Sequence, residues 1–213
     1  MKKLSDLAVV RSGYPFRTRV EADDDGDAYV LQLKDVTARS PADVDGAIRA
    51  LVRAPATHHL AAGDLVLKGR GTTHCAVVET IPADLPMVAA APILVLRPKP
   101  DIVEPAFLRW LLNHPITQAK LAASAVGTYI PTLTKSLIDD FEIELPPIET
   151  QRLIAQVATL AEREREILET ITQKRAQATD QLLLRLCRTS GNARKQGGRR
   201  GAATPRLPDH KQH

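Results

Sequence analysis

The sequence predicts an α+β protein in which one mixed domain is followed by a long coiled-coil-forming helix and a disordered basic tail. Residues 1–146 contain most of the proline and glycine, with short mixed elements between them. Residues 147–187 lack both residue types after Pro147 and repeat apolar side chains at helical spacing. Residues 188–213 are rich in Gly, Arg and Lys and poor in apolar residues, which is typical of disorder.

Short apolar runs define the strands expected in the first zone. Residues 28–33, 65–68, 76–79 and 93–97 are rich in Val, Ile and Leu, which favours strands. Between residues 141 and 145, apolar side chains alternate with glutamates, as in a half-exposed strand.

Two helices are expected in the same zone, at residues 105–112 and 116–123, the first with Pro105 at a favourable opening position. Because strands and helices do not alternate regularly, a doubly wound parallel sheet is not expected.

The second zone predicts one long helix. Pro147 suits its first turn, and Glu149 there complements the helix dipole. About 40 residues would form a rod of roughly 60 Å, too long for its apolar face to be buried on this domain. We therefore expect a partner helix in another chain or copy, with Glu164 and Arg175 as polar residues on the seam. The predicted dimerisation stripe is Ile154, Val157, Ala161, Leu168, Ile171, Ala178 and Leu182.

The positive charge is concentrated in the tail. The net charge is +4, but residues 188–213 contain seven Lys or Arg and one acid, so residues 1–187 carry a net charge of −2. If the body binds DNA, it must use a local basic face, because phosphate contact is electrostatic. The tail either adds sequence-independent DNA affinity or is a solubilising extension.

Several protein classes are not expected. Apolar runs are too short to cross a bilayer, and no signal peptide precedes the domain. Two distant cysteines favour a reduced, cytoplasmic protein. No nucleotide-binding loop or catalytic constellation occurs, and His58–His59 and His74–Cys75 lack metal-ligand spacing. We expect no enzyme activity, no cofactor and no metal.

Motifs along the chain resemble the specificity subunits of type I restriction-modification systems. The matching pieces, in order, are residues 4–8 with 11–14, residues 30–36, residues 63–71, residues 127–133 and residues 145–149 with Gln151. The resemblance runs to about Leu186 and implies a non-catalytic subunit that reads double-stranded DNA and docks methyltransferase and restriction subunits. Full-length members carry two recognition domains and two spacer helices, so this half-size chain is expected to form a homodimer or pair with another half-subunit.

Three donor-rich segments are the candidate DNA contacts that this resemblance favours, at residues 14–19, 68–74 and 128–135. The alternative is that they are solvated loops. Arg70 is the leading candidate. The full set is Tyr14, Arg17, Arg19, Lys68, Arg70, Thr72, Thr73, Thr128, Tyr129, Thr132 and Lys135.

A second interpretation is a non-catalytic coiled-coil adaptor whose globular domain binds protein, which the acidic balance of residues 1–187 would suit. The two differ in one observable. A reader should bind one duplex at least about 10³-fold better than random DNA, and an adaptor should not.

Overall fold

The computed structural model describes residues 1–37, 46–127 and 131–197, with side chains described as far as Leu186. The chain divides into two compact units, Met1–Leu160 and Ala161–His213. The first unit mixes sheets and helices, which confirms the predicted α+β class.

Short strands and helices alternate irregularly along the first unit. The strands are β1 (Lys2–Lys3), β2 (Ala8–Ser12), β3 (Ala28–Leu31), β4 (Ile48–Ala50), β5 (Leu65–Lys68), β6 (Cys75–Val77), β7 (Met87–Ala89), β8 (Ile93–Pro98) and β9 (Glu142–Ile143). The helices are α1 (Leu4–Leu7), α2 (Pro105–Asn113), α3 (Pro115–Ser124), α4 (Lys135–Asp139) and α5 (Ile148–Gly197), the last of which continues into the second unit.

The strands form two main sheets. A four-stranded sheet has the order β2-β8-β5-β6, and every neighbouring pair is antiparallel. A three-stranded sheet has the order β4-β3-β7, in which β3 pairs antiparallel with β4 and parallel with β7. A short antiparallel pair of β1 and β9 joins the N-terminus to the segment that precedes α5.

The central strands β5 and β8 are buried on both faces, which explains why their sequences are continuously apolar. Leu65 and Leu94 point into a core shared with helices α1–α4. Val66 and Val95 point the other way, into a core shared with β3 and β7. The four-stranded sheet therefore lies between a layer of helices and the three-stranded sheet.

Several elements differ from the sequence-based expectations. Strand β3 ends at Leu31, because residues 33–35 form a 3₁₀ turn, and β6 begins one residue early, at Cys75. The predicted strand at 141–145 is reduced to the two residues of β9. Strands β1, β2, β4 and β7 and helices α1 and α4, each five residues or shorter, were not predicted.

Helix α5 begins at Ile148, close to the predicted start, and ends at Gly197, ten residues beyond the predicted boundary at residue 187. The rest of the predicted disordered tail, residues 198–213, lies outside the described residues. The first turns of α5 contribute to the domain core: Ala155 is buried in it and Ile154 packs against it. Ile154, the first residue of the predicted dimerisation stripe, is therefore partly buried by the domain itself.

The second unit consists, within the described residues, of the continuation of α5. Its large apolar side chains are exposed, among them Ile167, Leu168, Ile171 and Leu182–Leu184. No helix in the described part of the chain combines the length and apolar character that crossing a membrane requires.

Asp64 links three parts of the first unit. It is almost fully buried, and its carboxylate accepts two hydrogen bonds of 2.7 Å from Arg97, one of 3.3 Å from Arg11 and one of 2.9 Å from the Ala61 N–H. The bond to Asp64 is the main cause of a raised pKa for Arg97, whereas burial lowers the pKa of Arg11. Both arginines also donate to the His59 carbonyl. The Asp64 carboxylate therefore joins β2, β8 and the loop before β5.

Gln151 fixes the start of α5 in the domain. Its side chain is 1% exposed. Its carbonyl accepts from the Glu104 N–H at 3.0 Å, and its amide donates to Ile102 at 3.2 Å and to Pro146 at 2.8 Å. These bonds give a physical reason for a glutamine three residues after the helix begins.

We expect Gln151→Met to lower the free energy of unfolding by about 1–3 kcal/mol, because it leaves buried main-chain groups without partners. Urea unfolding followed by circular dichroism measures the loss. Gln156→Met, at an exposed position two residues beyond Ile154 in the same helix, is the matched control and should change little. Equal stability of the two variants would contradict this role.

We expect Asp64→Asn to lower the free energy of unfolding by about 1.5–3 kcal/mol, because the amide cannot replace the charged acceptor of two arginines. Arg97 is partly exposed and regains some water, which limits the loss. Thermal and urea unfolding should both report it, with the exposed Asp101→Asn as control. A midpoint indistinguishable from that control would refute the linking role.

Candidate nucleic-acid interface

Loops from several strands meet at one end of the four-stranded sheet. In the antiparallel order β2-β8-β5-β6, the last residues of β2 and β5 lie beside the first residues of β8 and β6. The segments after Ser12 and Lys68 therefore leave the sheet at the same end. These contain two of the three donor-rich segments predicted from the sequence.

The turn between β7 and β8 connects these segments through main-chain hydrogen bonds. The Tyr14 N–H donates to Ala89 at 2.7 Å, and the Ala91 N–H donates back to Tyr14 at 3.0 Å. On the other side, the Gly69 N–H donates to Pro92 at 3.0 Å.

Two glycines make this approach possible. A Cβ added at Gly13 would lie 2.6 Å from the Ala89 carbonyl oxygen, and one at Gly69 would lie 2.3 Å from the Pro92 oxygen. Both distances are far below a normal contact, so a side chain at either position would push the segments apart.

The third donor-rich segment joins the same group. The Leu133 N–H donates to Gly69 at 2.8 Å, the Gly71 N–H donates to Pro131 at 3.1 Å, and Arg70 forms a β-bridge with Thr132. The main chain thus brings parts of all three predicted segments together. Thr128 and Tyr129 lie outside the described residues.

The segment from Lys68 to Thr72 presents the most accessible donors. Arg70 and Thr72 are exposed, and Lys68 is partly exposed. Within the described residues, neither Lys68 nor Arg70 has an ion-pair partner, whereas Arg11 and Arg97 are held by Asp64. Gly71 has a φ of +76°, a value that favours glycine and turns the chain between the two exposed side chains.

The following residues point inward. Thr73 is buried, and its hydroxyl donates to the Gln118 side-chain carbonyl. Burial and the charge of Lys68 lower the pKa of His74, which leaves the imidazole neutral at pH 7. Burial raises the pKa of the Cys75 thiol to about 12, so it stays protonated.

The segment at residues 14–19 has a mixed environment. The Tyr14 ring makes edge contacts with Phe16 and His58, at 5.1 and 5.4 Å between ring centres, and packs against a core. Arg17 and Arg19 are exposed. Arg19 lines a cleft of about 830 Å³ together with four acidic side chains from residues 21–25, which opposes phosphate binding there.

The remaining candidate DNA contacts, Thr132 and Lys135, interact with other groups of the protein. Thr132 is partly buried and has an interaction of its own in the fold. Lys135 pairs with Asp139 one turn later in α4, so its charge is partly neutralised.

Sequence reasoning did not single out Asn113 and Gln118, whose amides contact Cys75 and Thr73. Amides near helix ends are common on protein surfaces, so only the observed contacts distinguish them. In the part of the chain that the structure describes, no three His, Cys, Asp or Glu side chains converge as a metal site would require.

Comparison with known proteins identifies the family of this chain. The profile of the family described as the type I restriction modification DNA specificity domain matches residues 1–174. No curated protein sequence matches the chain significantly.

Solved structures with a similar fold include the HsdS subunit from Thermoanaerobacter tengcongensis, with a TM-score of 0.54, 22% identity, and coverage of 78% of this chain and 43% of that chain. The type I restriction-modification S subunit from M. genitalium gives a TM-score of 0.52 at 13% identity, covering 79% of this chain and 40% of that one. A structure described as the basis of complex assembly and conformational transition of the type I R-M system gives a TM-score of 0.52 at 19% identity. The match covers 78% of this chain and 41% of that chain.

At these identities the structural likeness is one of fold, and the chain spans about two fifths of the length of each of these proteins. The family match carries the assignment, since it covers most of the chain. Members of this family recognise DNA and are not themselves catalytic. The chain belongs to the family of type I restriction-modification DNA specificity domains.

Proposed function

We propose that this chain reads one specific sequence of double-stranded DNA and directs the methyltransferase and restriction subunits of a type I system to it. The observation that carries the proposal is the exposed Lys68–Thr72 segment, whose two cations lack ion-pair partners among the described residues. The family match supports a role in DNA specificity. Such a protein acts where the genome is, which in a bacterium is the cytoplasm.

The proposed contacts divide by type. The planar guanidinium of Arg70 can donate two parallel hydrogen bonds to the O6 and N7 atoms of guanine, which would specify a base. Lys68 is a point charge suited to phosphate. The other proposed contacts around them are Tyr14, Arg17, Arg19, Thr72, Thr73, Thr128, Tyr129, Thr132 and Lys135. Arg19 is disfavoured by the neighbouring acids and Thr73 by its burial.

The proposed assembly is a homodimer, or a pair with another half-subunit, formed along α5. Val157, Leu168, Ile171 and Leu182 are each about half exposed, at 58, 56, 46 and 57%. The exposed Ala161 and Ala178 and the partly buried Ile154 complete the proposed stripe. Two copies packed antiparallel would bury these side chains and place two recognition domains about a two-fold axis.

We expect Arg70→Ala to weaken binding to the specific duplex by about 1–3 kcal/mol and to leave binding to random DNA nearly unchanged. The specific duplex is first selected from a random pool by the full wild-type chain with a co-purified methyltransferase subunit. Arg165→Ala, which removes the same charge from an exposed helical position, is the control.

Equal losses on both duplexes would make Arg70 a phosphate contact. If the wild-type chain does not prefer any duplex, the DNA-reading function is wrong and the adaptor interpretation is favoured.

We expect the DNA target to be two inverted half-sites separated by a fixed gap, because a symmetric dimer binds symmetric DNA. Inserting seven residues after Glu169 keeps the apolar seam in phase and lengthens the helix by about 10 Å. The preferred gap should grow by about three base pairs. Methylation-site mapping with the partner methyltransferase measures the gap. An uninterrupted target would contradict the dimer, and an asymmetric one would indicate a different half-subunit as partner.

A further inference from the structure

The segment that presents Arg70 contacts two amide side chains that flank the turn between α2 and α3. Asn113 is the last residue of α2, and Gln118 lies at the end of the first turn of α3. The intervening His114 caps α3 through its Nδ1 atom, and Pro115 begins the helix. This short connection fixes the spacing between the two amides.

Asn113 completes the outer edge of the four-stranded sheet. Strand β6 pairs with β5 on one side and is the last strand in the order. At its outer side, the Cys75 N–H donates to Asn113 Oδ1 at 2.9 Å, and Asn113 Nδ2 donates to the Cys75 carbonyl at 2.7 Å. One side chain therefore occupies both main-chain groups of Cys75, as a neighbouring strand would.

Gln118 holds the residue that immediately follows the exposed loop. Its Oε1 atom accepts from the Thr73 hydroxyl at 2.5 Å, and its Nε2 atom donates to the Thr73 carbonyl at 2.9 Å. The same Nε2 donates to the Leu112 carbonyl at 2.5 Å, which ties the amide to the end of α2. Thr73 is buried, so these bonds are largely shielded from water.

On the other side of the loop, the main chains of Gly69 and Gly71 form hydrogen bonds with the main chains of Pro92, Pro131 and Leu133. The main chain is therefore held at Gly69 and Gly71 on one side and at Thr73 and Cys75 on the other. The exposed side chains between these points belong to Arg70 and Thr72.

We infer that Asn113 and Gln118 are positioning residues for base readout: they hold the loop so that Arg70 meets a base edge in one orientation. The inference rests on the proposed function of Arg70. Base readout by an arginine requires correct direction as well as charge, whereas attraction to phosphate does not. Releasing the loop should therefore reduce discrimination between sequences more than it reduces overall DNA affinity.

The test compares Gln118→Met, Arg70→Ala and the double variant in the full chain with its co-purified methyltransferase subunit. The probes are the selected duplex and a shuffled duplex of the same composition. We expect Gln118→Met to lower the ratio of the two affinities about tenfold. In the Arg70→Ala background, the same substitution should change the ratio less than about twofold, because the residue it orients is gone.

Two further variants separate positioning from general destabilisation. Thr73→Val removes only the hydroxyl bond and should give a smaller loss in the same direction, which keeps the test valid if Gln118→Met folds poorly. Gln156→Met, at an exposed position, should leave the ratio unchanged.

Hydrogen exchange of residues 69–75, measured without DNA, gives an independent readout. We expect faster exchange in this segment in Gln118→Met, with protection in β8 retained. Unchanged exchange would overturn the inference whatever the DNA result. A lowered ratio in Arg70→Ala but not in Gln118→Met would also overturn it and leave the proposed function intact. A wild-type chain with no duplex preference would refute the proposed function.

Discussion

The close approach of the β7–β8 turn to Gly13 on one side and Gly69 on the other is the constraint on which the candidate interface depends. Both contacts leave no room for a Cβ atom, so the main chain itself makes the spacing. Segments separated by more than fifty residues in sequence are thereby joined in one hydrogen-bonded row. The accessible donors sit on this row, and their relative positions depend on backbone contacts more than on side-chain packing.

Charge within the first unit is divided between structural and accessible cations. Arg11 and Arg97 both pair with the buried carboxylate of Asp64, which leaves fewer unpaired cations for an external ligand. Lys68 and Arg70 have no such partner in the described part of the chain. A body with a net negative charge can therefore still present a local positive site at Lys68 and Arg70.

The sequence was informative wherever burial imposed a pattern over several residues. Strands β5 and β8 were predicted because both faces are buried and their residues are continuously apolar. Strand β7 was not, since its three residues lie between prolines and pair with β3 through contacts that sequence periodicity does not encode. The helix of the second zone was predicted, but the partial burial of Ile154 against the domain was not, because it depends on where α2 and α5 lie in the folded unit.

For the candidate site, composition identified the donor-rich segments but not the direction of each side chain. Thr72 and Thr73 are adjacent and chemically identical, yet one is exposed and the other is buried. The buried Thr73 hydroxyl bonds to Gln118, forty-five residues away in the chain, and no local pattern could reveal that contact. Gln151 belongs to a motif that the sequence identified, while its structural role became evident only from its three hydrogen bonds.

The geometry of the Gly69–Thr73 segment has a consequence for how such a protein tolerates sequence change. Its fixed positions are the two glycines and the buried threonine, which the backbone and Gln118 require. Positions 70 and 72 are exposed, so a new side chain there alters what the surface offers and costs the fold little. Residues that the fold requires and residues that can change the binding surface thus alternate along a single short loop.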